Sequence, residues 1–288
     1  MKKILIWIAG LVGLVLLFAV VMTVSTSSRM KKVYEITPEQ VEIPTDEASL
    51  KEGKRLASIY CAGCHGDDFS GKEFFNDPAI GINDATNLTA GEGGVGSFYS
   101  DSDWVSALRH GVDTEGHPLF IMPSKDFYYF SDQDLGQIIA YIKSVPPLDK
   151  QSNRFLVKIL GKLLIGLGVF GDVFSVEIID HDAPRPVSPD TAVSVDYGEY
   201  LVQTFGCNTC HGPALSGGKS SEPGAPIAPN LTPGGVIEKL DSNEFIAIVQ
   251  AGQSEYMPFE SLKKMSTDEL TAMWMYLKSL PALETTGN

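Results

Sequence analysis

The chain has 288 residues, of which 43% are hydrophobic and 20% charged, with a formal net charge of −14 and a pI near 4.7. This acidic balance argues against a nucleic-acid partner, because proteins that bind nucleic acids usually present a basic patch. It identifies no other partner, since acidic surfaces are also simply soluble.

The amino terminus carries an apolar segment long enough to cross a membrane. Two lysines precede an uncharged run from Ile4 to Val24. An α-helix rises 1.5 Å per residue, so about 20 residues span a hydrocarbon core of ~30 Å. A cleaved signal peptide usually has a shorter apolar core and a small-x-small cleavage site, for which the signal here is weak. We predict an uncleaved transmembrane anchor over residues 1–30 and a linker over 31–46.

All four cysteines belong to two copies of the pattern Cys-x-x-Cys-His, at residues 61–65 and 207–211. This pattern is the attachment signature of c-type haem, in which both thiols form thioethers and the histidine ligates the iron. Paired zinc knuckles would lie roughly 12–20 residues apart, and a thioredoxin-like pair needs no histidine. We therefore predict two covalently bound haem c groups. They are attached through Cys61, Cys64, Cys207 and Cys210, with His65 and His211 as axial ligands.

The chain beyond the anchor repeats itself, which predicts domains over 47–148 and 191–285. In both units a helical pattern leads into the haem motif, and an Asn-Leu-Thr triplet follows. Next come a helix that ends at a glycine, a Met-Pro pair and a serine-capped helix that ends before a proline. The matched residues are Asn87 and Asn230, Gly111 and Gly252, Met122 and Met257, Ser131 and Ser266, and Pro146 and Pro281.

The predicted linker between the two units, 149–190, contains an apolar stretch over 155–174. Lys158 and Lys162 lie four residues apart, opposite a face of leucines and isoleucines. This pattern predicts an amphipathic helix. It can lie in the membrane interface, dock on a partner subunit or pack between the two haem domains.

Given these motifs, each unit resembles a class I cytochrome c. Residues 47–285 resemble the cytochrome c subunits of bacterial membrane-bound alcohol and gluconate dehydrogenases, which usually carry three haems rather than two. Further support comes from Arg-His-Gly-Val at 109–112 and Ile-Asp-His at 179–181. The resemblance implies a mainly α fold, with an N-terminal transmembrane helix followed by two tandem class I cytochrome c domains.

The resemblance also implies the sixth ligands of the two irons. Met122 and Met257 stand at matching places in the repeat, each before a proline that suits a rigid loop. A thioether ligand favours ferrous iron and raises the reduction potential. His117, close before Met122, is the alternative ligand, whereas His110 has no histidine counterpart in the second unit and His181 lies in the linker. The methionines on or near the last helix are interpreted as core residues: Met265, Met273 and Met275.

In the family that the chain resembles, haem is attached outside the cytoplasm. Both motifs must then lie on that side, so we expect a single span and no crossing by residues 155–174. Basic residues flank both ends of the apolar run, so charge alone does not orient it. The expected location is the bacterial cytoplasmic (inner) membrane, with the haem domains on the periplasmic side.

These features predict an electron-transfer protein rather than an enzyme, because a fully ligated iron has no open position for a substrate. The expected partners are redox proteins and, through the N-terminal helix, membrane lipid. Single electrons would pass from a membrane or periplasmic dehydrogenase, or another respiratory donor, to a downstream cytochrome or oxidase. Two alternatives are a dihaem peroxidase, in which one iron opens to bind peroxide, and a structural or assembly role with haem as scaffold.

Overall fold

The computed structural model describes residues 1–152, 154–219, 224–252, 254 and 256–286. The described chain is mainly helical, as predicted. The α-helices are α1 Lys2–Arg29, α2 Glu47–Tyr60, α3 Ala62–His65, α4 Asp101–Val105, α5 Ser124–Phe127, α6 Asp132–Ser144, α7 Ile159–Gly166, α8 Val195–Thr204, α9 Asn208–His211, α10 Ser242–Ala251, α11 Phe259–Leu262 and α12 Thr267–Ser279. The strands are β1 Lys72–Asp77, β2 Gly81–Ala85, β3 Phe155–Val157, β4 Gly218–Lys219 and β5 Ile227–Ala228.

The N-terminal apolar run forms the long helix α1. Among the described residues, α1 is the one helix long and apolar enough to cross a membrane. Within α1 only Thr26, near the C-terminal end, is buried against the rest of the protein. The chain then continues without regular structure along the first domain, where the Tyr34 N–H donates to the Gly116 carbonyl (2.9 Å).

Each unit of the repeat is built on two crossing helices, α2 with α6 and α8 with α12. A glycine lies at each crossing point. A Cβ atom on Gly53 would lie 2.0 Å from the carbonyl oxygen of Gln137, and one on Gly198 would lie 2.0 Å from that of Ala272. Because such distances are far inside van der Waals contact, no larger residue fits without separating the helices.

The Asn-Leu-Thr triplets hold the chain that leaves each final helix. The Asn87 side-chain amide donates to the Leu148 carbonyl (2.8 Å), and its Oδ1 accepts from the Thr89 N–H (2.9 Å). Asn230 donates to the Leu283 carbonyl (2.8 Å), and its Oδ1 accepts from the threonine two residues later (2.8 Å). Both asparagines are buried, so these bonds replace water for otherwise unpaired backbone groups.

The predicted helix ends of the repeat are confirmed. Gly111 and Gly252 both adopt the left-handed conformation, with φ of 71° and 55°, where glycine is favoured. Ser131 and Ser266 cap α6 and α12, because each hydroxyl accepts from the backbone N–H three residues later. Both of these helices end two residues before a proline.

The long loops contain short antiparallel strands that the sequence pattern does not predict. In the first unit the strand order is β1-β2-β3, with Gly81 opposite Val157 and Asn83 opposite Phe155. The second unit has the two-stranded pair β4-β5. Because β3 belongs to the linker, the linker completes the sheet of the first unit.

The helix predicted over 155–174 is wrong in its extent. Residues 155–157 form β3, and the helix α7 covers only Ile159–Gly166. Two glycines then turn the chain with positive φ, 73° at Gly168 and 65° at Gly171. The strand forms because β2 offers an open edge for pairing, a partner that helical periodicity does not reveal.

One apolar core runs through both units, and a second core lies at the end of the anchor. The shared core includes side chains from α2, α6, α8 and α12. The second core combines Met30 and Tyr34 with Phe120 of the first unit and with Val173 and Phe174 of the linker. The linker thus packs mainly on the anchor and the first unit.

We expect Gly53→Ala to lower the free energy of unfolding by about 1–3 kcal/mol, because overpacking forces α2 away from α6. Denaturant unfolding followed by circular dichroism measures this. Gly63→Ala is the matched control, since its Cβ would meet only the Ser261 hydroxyl at 3.6 Å. Equal unfolding midpoints for the two variants would contradict the role of Gly53 at the crossing.

Candidate haem sites

Each predicted attachment motif folds as one helical turn directly after a longer helix. In the first unit α3 follows α2, and the His65 N–H donates to the Cys61 carbonyl (2.9 Å). In the second unit α9 follows α8, and the His211 N–H donates to the Cys207 carbonyl (3.0 Å). The turn brings each histidine back beside the first cysteine of its motif. This first cysteine is buried, and the second is more exposed.

Both predicted axial histidines are held by a backbone carbonyl. His65 Nδ1 lies 2.7 Å from the Thr86 carbonyl oxygen, and His211 Nδ1 lies 2.8 Å from that of Pro229. A carbonyl can only accept, so Nδ1 carries the proton and the neutral ring keeps its lone pair on Nε2. Burial lowers the pKa of both imidazoles, which favours the neutral form that a metal ligand requires.

The four predicted residues of the first site surround one cavity of about 360 Å³. They are Cys61, Cys64, His65 and Met122. Most other lining side chains are aliphatic or aromatic, among them Leu88, Leu108, Phe127 and Ile139. His117 also lines this cavity, so it stays the alternative to Met122 as the sixth ligand.

In the second unit the predicted residues occupy corresponding places in the chain. His211 and Cys207 are buried, and Cys210 is half-buried. Met257 is partly buried and packs against the shared apolar core, as Met122 does in the first unit. Met265 and Met273 are fully inside that core, which agrees with their interpretation as packing residues.

Both predicted methionine ligands begin the same tight turn. The Ser124 N–H donates to the Met122 carbonyl (2.9 Å), and the Phe259 N–H donates to the Met257 carbonyl (2.7 Å). The proline between them has φ −82° and ψ 47° in the first unit, and φ −75° and ψ 57° in the second. This is the geometry of an inverse γ-turn. It places the carbonyl of each methionine in the same way relative to the helix that follows.

The linker supports the first methionine loop, a contact that sequence reasoning missed. The Ser175 hydroxyl donates to the Met122 carbonyl (2.7 Å), and the Ile121 N–H donates to the Val173 carbonyl (2.8 Å). Ile121 has a φ of 64°, which is unusual for a β-branched residue and needs such support. No motif marks Ser175, and carbonyl partners such as that of Thr86 have no side-chain signature at all.

His110 and His181 belong to one partly buried polar network. His110 Nε2 lies 2.8 Å from Glu39 Oε2, and its Nδ1 lies 3.0 Å from His181 Nδ1. His181 Nε2 lies 3.0 Å from the Val176 carbonyl. All four ring nitrogens therefore have hydrogen-bond partners. The buried Arg109 guanidinium also donates to Glu39 (2.7 Å), which ties the two histidines to the linker over 31–46.

One buried polar atom in the first cavity supports a cofactor there. The Trp104 indole N–H is buried and has no hydrogen-bond partner among the described residues. Trp104 lines the cavity, and an unpaired buried donor costs free energy. A haem carries acidic side groups that can accept this hydrogen bond, so the residues present fit a haem. Phe245 holds the matching place in the second unit and offers no such donor.

Comparison with known families agrees with the two units. Residues 50–146 match the family model described as cytochrome c. Residues 194–277 match the model described as cytochrome c oxidase, cbb3-type, subunit III. Both matches begin shortly before a Cys-x-x-Cys-His motif and end within or just after the final helix of that unit.

Five curated relatives are similar to the chain, and three of them represent different dehydrogenases. The alcohol dehydrogenase (quinone) cytochrome c subunit of Gluconobacter oxydans is 27% identical, over 83% of this chain and 56% of the relative. The gluconate 2-dehydrogenase cytochrome c subunit of Pantoea cypripedii is 28% identical, over 82% of this chain and 60% of the relative. The fructose dehydrogenase cytochrome subunit of Gluconobacter japonicus is 27% identical, over 88% of this chain and 56% of the relative. The chain thus spans little more than half the length of these relatives. All three relatives are named as cytochrome subunits of dehydrogenases, and none of these names supports the dihaem peroxidase alternative.

The Glu39 carboxylate predicts a pH dependence of stability. Although burial opposes ionisation, hydrogen bonds from its own backbone, His110 and Arg109 lower the pKa of Glu39 from 4.5 to about 2. A depressed carboxyl pKa stabilises the fold above pH 4.5, and this stability is lost as the pH falls towards 2. Glu39→Gln should lower the free energy of unfolding by about 1–3 kcal/mol at pH 7.

The decrease in the free energy of unfolding caused by Glu39→Gln should become steadily smaller as the pH falls from 4.5 to 2.5. Urea unfolding at a series of pH values measures it, with the exposed Glu35→Gln as the control that should change little. A loss that is the same at pH 3 and pH 7 would show that the ionised form of Glu39 is not what the network requires.

Proposed function

Because the chain carries two cytochrome c domains, and with them two covalently bound haem c groups, we propose that it is a membrane-tethered electron-transfer protein. In this proposal His65 and Met122 ligate the first iron, and His211 and Met257 ligate the second. Single electrons pass between a membrane or periplasmic dehydrogenase, or another respiratory donor, and a downstream cytochrome or oxidase. The chain carries out no substrate chemistry of its own.

The observation that carries this proposal is the contact between the residues that lie just before the two haem motifs. Tyr60 directly precedes Cys61, and its hydroxyl lies 3.2 Å from the Thr204 hydroxyl. The Tyr60 ring also lies 5.8 Å, centroid to centroid, from that of Phe205, two residues before Cys207. Tyr60 therefore brings the chain just before one attachment motif into contact with the chain just before the other, as expected if electrons move between the haems inside the chain.

The protein residues would prepare each site for reversible electron transfer. A haem supplies a one-electron iron couple when bound. The carbonyls of Thr86 and Pro229 fix the tautomer and orientation of the two histidines, which tunes them as ligands. The apolar walls of the first cavity limit contact with water, and a methionine ligand raises the potential. Filled ligand positions leave no open site for peroxide.

The proposed location follows from α1 and from the relatives. We place α1 across the bacterial cytoplasmic membrane as a single anchor and both haem domains on the periplasmic side. The length and apolar surface of α1 support the anchor. The names of the relatives, cytochrome c subunits of dehydrogenases, support a dehydrogenase complex as the partner.

A spectroelectrochemical titration of the purified holoprotein tests the ligand assignment. We expect two low-spin haems with separate one-electron steps. Met122→His should lower the potential of the first haem by a few tenths of a volt, within the roughly 0.8 V that axial ligands cover, because imidazole favours ferric iron more than a thioether does. Met257→His should do the same to the second haem alone.

These two variants serve as controls for each other, and Met265→Leu should change neither potential because Met265 lies in the core. If Met122→Ala left the spectrum and potential of the first haem intact, the assignment would pass to His117. A high-spin haem in the native protein together with rapid peroxide turnover would favour a peroxidase instead.

The contact at Tyr60 predicts how fast the two haems exchange electrons. Tyr60→Leu should slow inter-haem equilibration after rapid photoreduction, because it removes the ring that touches Phe205. Tyr60→Phe should slow it less, since it keeps the ring and loses only the hydroxyl contact to Thr204. Tyr129→Leu is the control, because its ring contacts Tyr128 on the exposed surface. Equal rates in all three variants would mean that electrons bypass Tyr60.

A further inference from the structure

The helix α7 packs against the end of the anchor rather than between the two haem domains. The Thr26 hydroxyl of α1 donates to the Lys162 carbonyl of α7 (2.8 Å). A Cβ atom on Gly166 would lie 2.9 Å from the Met22 carbonyl oxygen, so α7 approaches the α1 backbone closely. Of the three positions open to an amphipathic helix in this linker, the structure excludes packing between the haem domains.

The position of this contact along α1 sets the height of α7 relative to a membrane. About 20 helical residues cross a hydrocarbon core of ~30 Å, so a span that starts at Ile4 ends near residue 23. Met22 and Thr26 therefore lie at the boundary between hydrocarbon and headgroups. The helix α7, which touches α1 there, lies at the same level.

The surface of this segment is apolar where it faces away from the protein. We define the lipid platform as five exposed side chains of β3, α7 and the turn after it: Leu156, Ile159, Leu160, Leu167 and Val169. Ile159 is 77% exposed, more than most apolar residues outside α1. The nearest lysine at the start of α7 is turned away from this face, because Lys158 Nζ donates to the Pro78 carbonyl (2.7 Å).

We propose that the lipid platform rests in the outer headgroup and acyl boundary of the membrane and clamps the first haem domain to its surface. Continuity with α1 favours lipid over a protein partner, since the platform begins at the level where α1 leaves the hydrocarbon. Burying apolar side chains there is favourable because it removes their surface from water. Phe155 is the neighbour of Leu156 in β3 and faces the first cavity, which Met30 also lines, so the platform holds that cavity close to the membrane.

The proposal rests on the anchor role proposed above for α1, and one experiment separates the two. The full-length holoprotein is placed in phospholipid nanodiscs that contain a lipid with a diazirine on its acyl chain. After illumination, peptide mass spectrometry locates the lipid adducts. We expect adducts in α1 and in residues 155–169, and few in α10, where Ile248 is 50% exposed and serves as the apolar control.

The outcomes distinguish a failure of the platform proposal from a failure of the anchor proposal. If α1 carries adducts but residues 155–169 carry no more than α10, the platform proposal is wrong and the anchor proposal still holds. An unlabelled α1 would overturn the anchor itself, while the haem spectra test the electron-transfer role independently. As a second check, Ile159→Asp with Leu160→Asp should remove most adducts from 155–169 without changing α1 labelling or haem content. Labelling of 155–169 that persists unchanged in this variant would also count against the platform.

Discussion

The packing of α2 and α8 into one shared core is the constraint on which the arrangement of the two haem sites depends. The helix α2 ends at the residue before its haem motif, and α8 ends two residues short of its motif, so fixing the ends of these helices fixes the motifs. Tyr60 and Thr204 meet at those ends, and Arg55 of α2 forms an ion pair with Glu269 of α12 (2.9 Å). Two haem domains on a flexible linker would meet only at intervals, whereas a shared core keeps them in continuous contact.

The two sites use the same local geometry but different supports. Both histidines bond to a carbonyl, and both methionines begin an inverse γ-turn. In the first domain the linker adds Ser175 to the methionine loop and Trp104 faces the cavity, whereas the second domain has Phe245 at the latter place. A duplicated fold can thus hold two cofactors whose surroundings differ in hydrogen bonding, and such differences tune reduction potentials.

Features that repeat along the chain were predictable from sequence because their physical cause is local. Such features depend on only a few neighbouring residues. They include Cys-x-x-Cys-His, the serine caps at Ser131 and Ser266, and the glycines that end helices. Contacts between distant segments were not predictable. The carbonyl of Thr86 has no sequence signature, and the pairing of Phe155 with Asn83 depends on an open sheet edge that only the folded chain presents. The Asn-Leu-Thr triplet that begins at Asn87 was only partly predictable. Its repetition was visible in the sequence, but its hydrogen bond to the Leu148 carbonyl was not.

The linker shows that an apolar run in a sequence does not reveal which segment it will pack against. Residues 155–181 complete a sheet through β3, contact the anchor through α7, support Met122 through Ser175 and reach His110 through His181. Each contact involves a different segment, and together they tie the anchor, the first domain and the approach to the second domain into one body. In the proposed arrangement α1 both attaches the first domain and fixes its position, because α7, which packs on α1, belongs to the same linker that supports the first methionine loop.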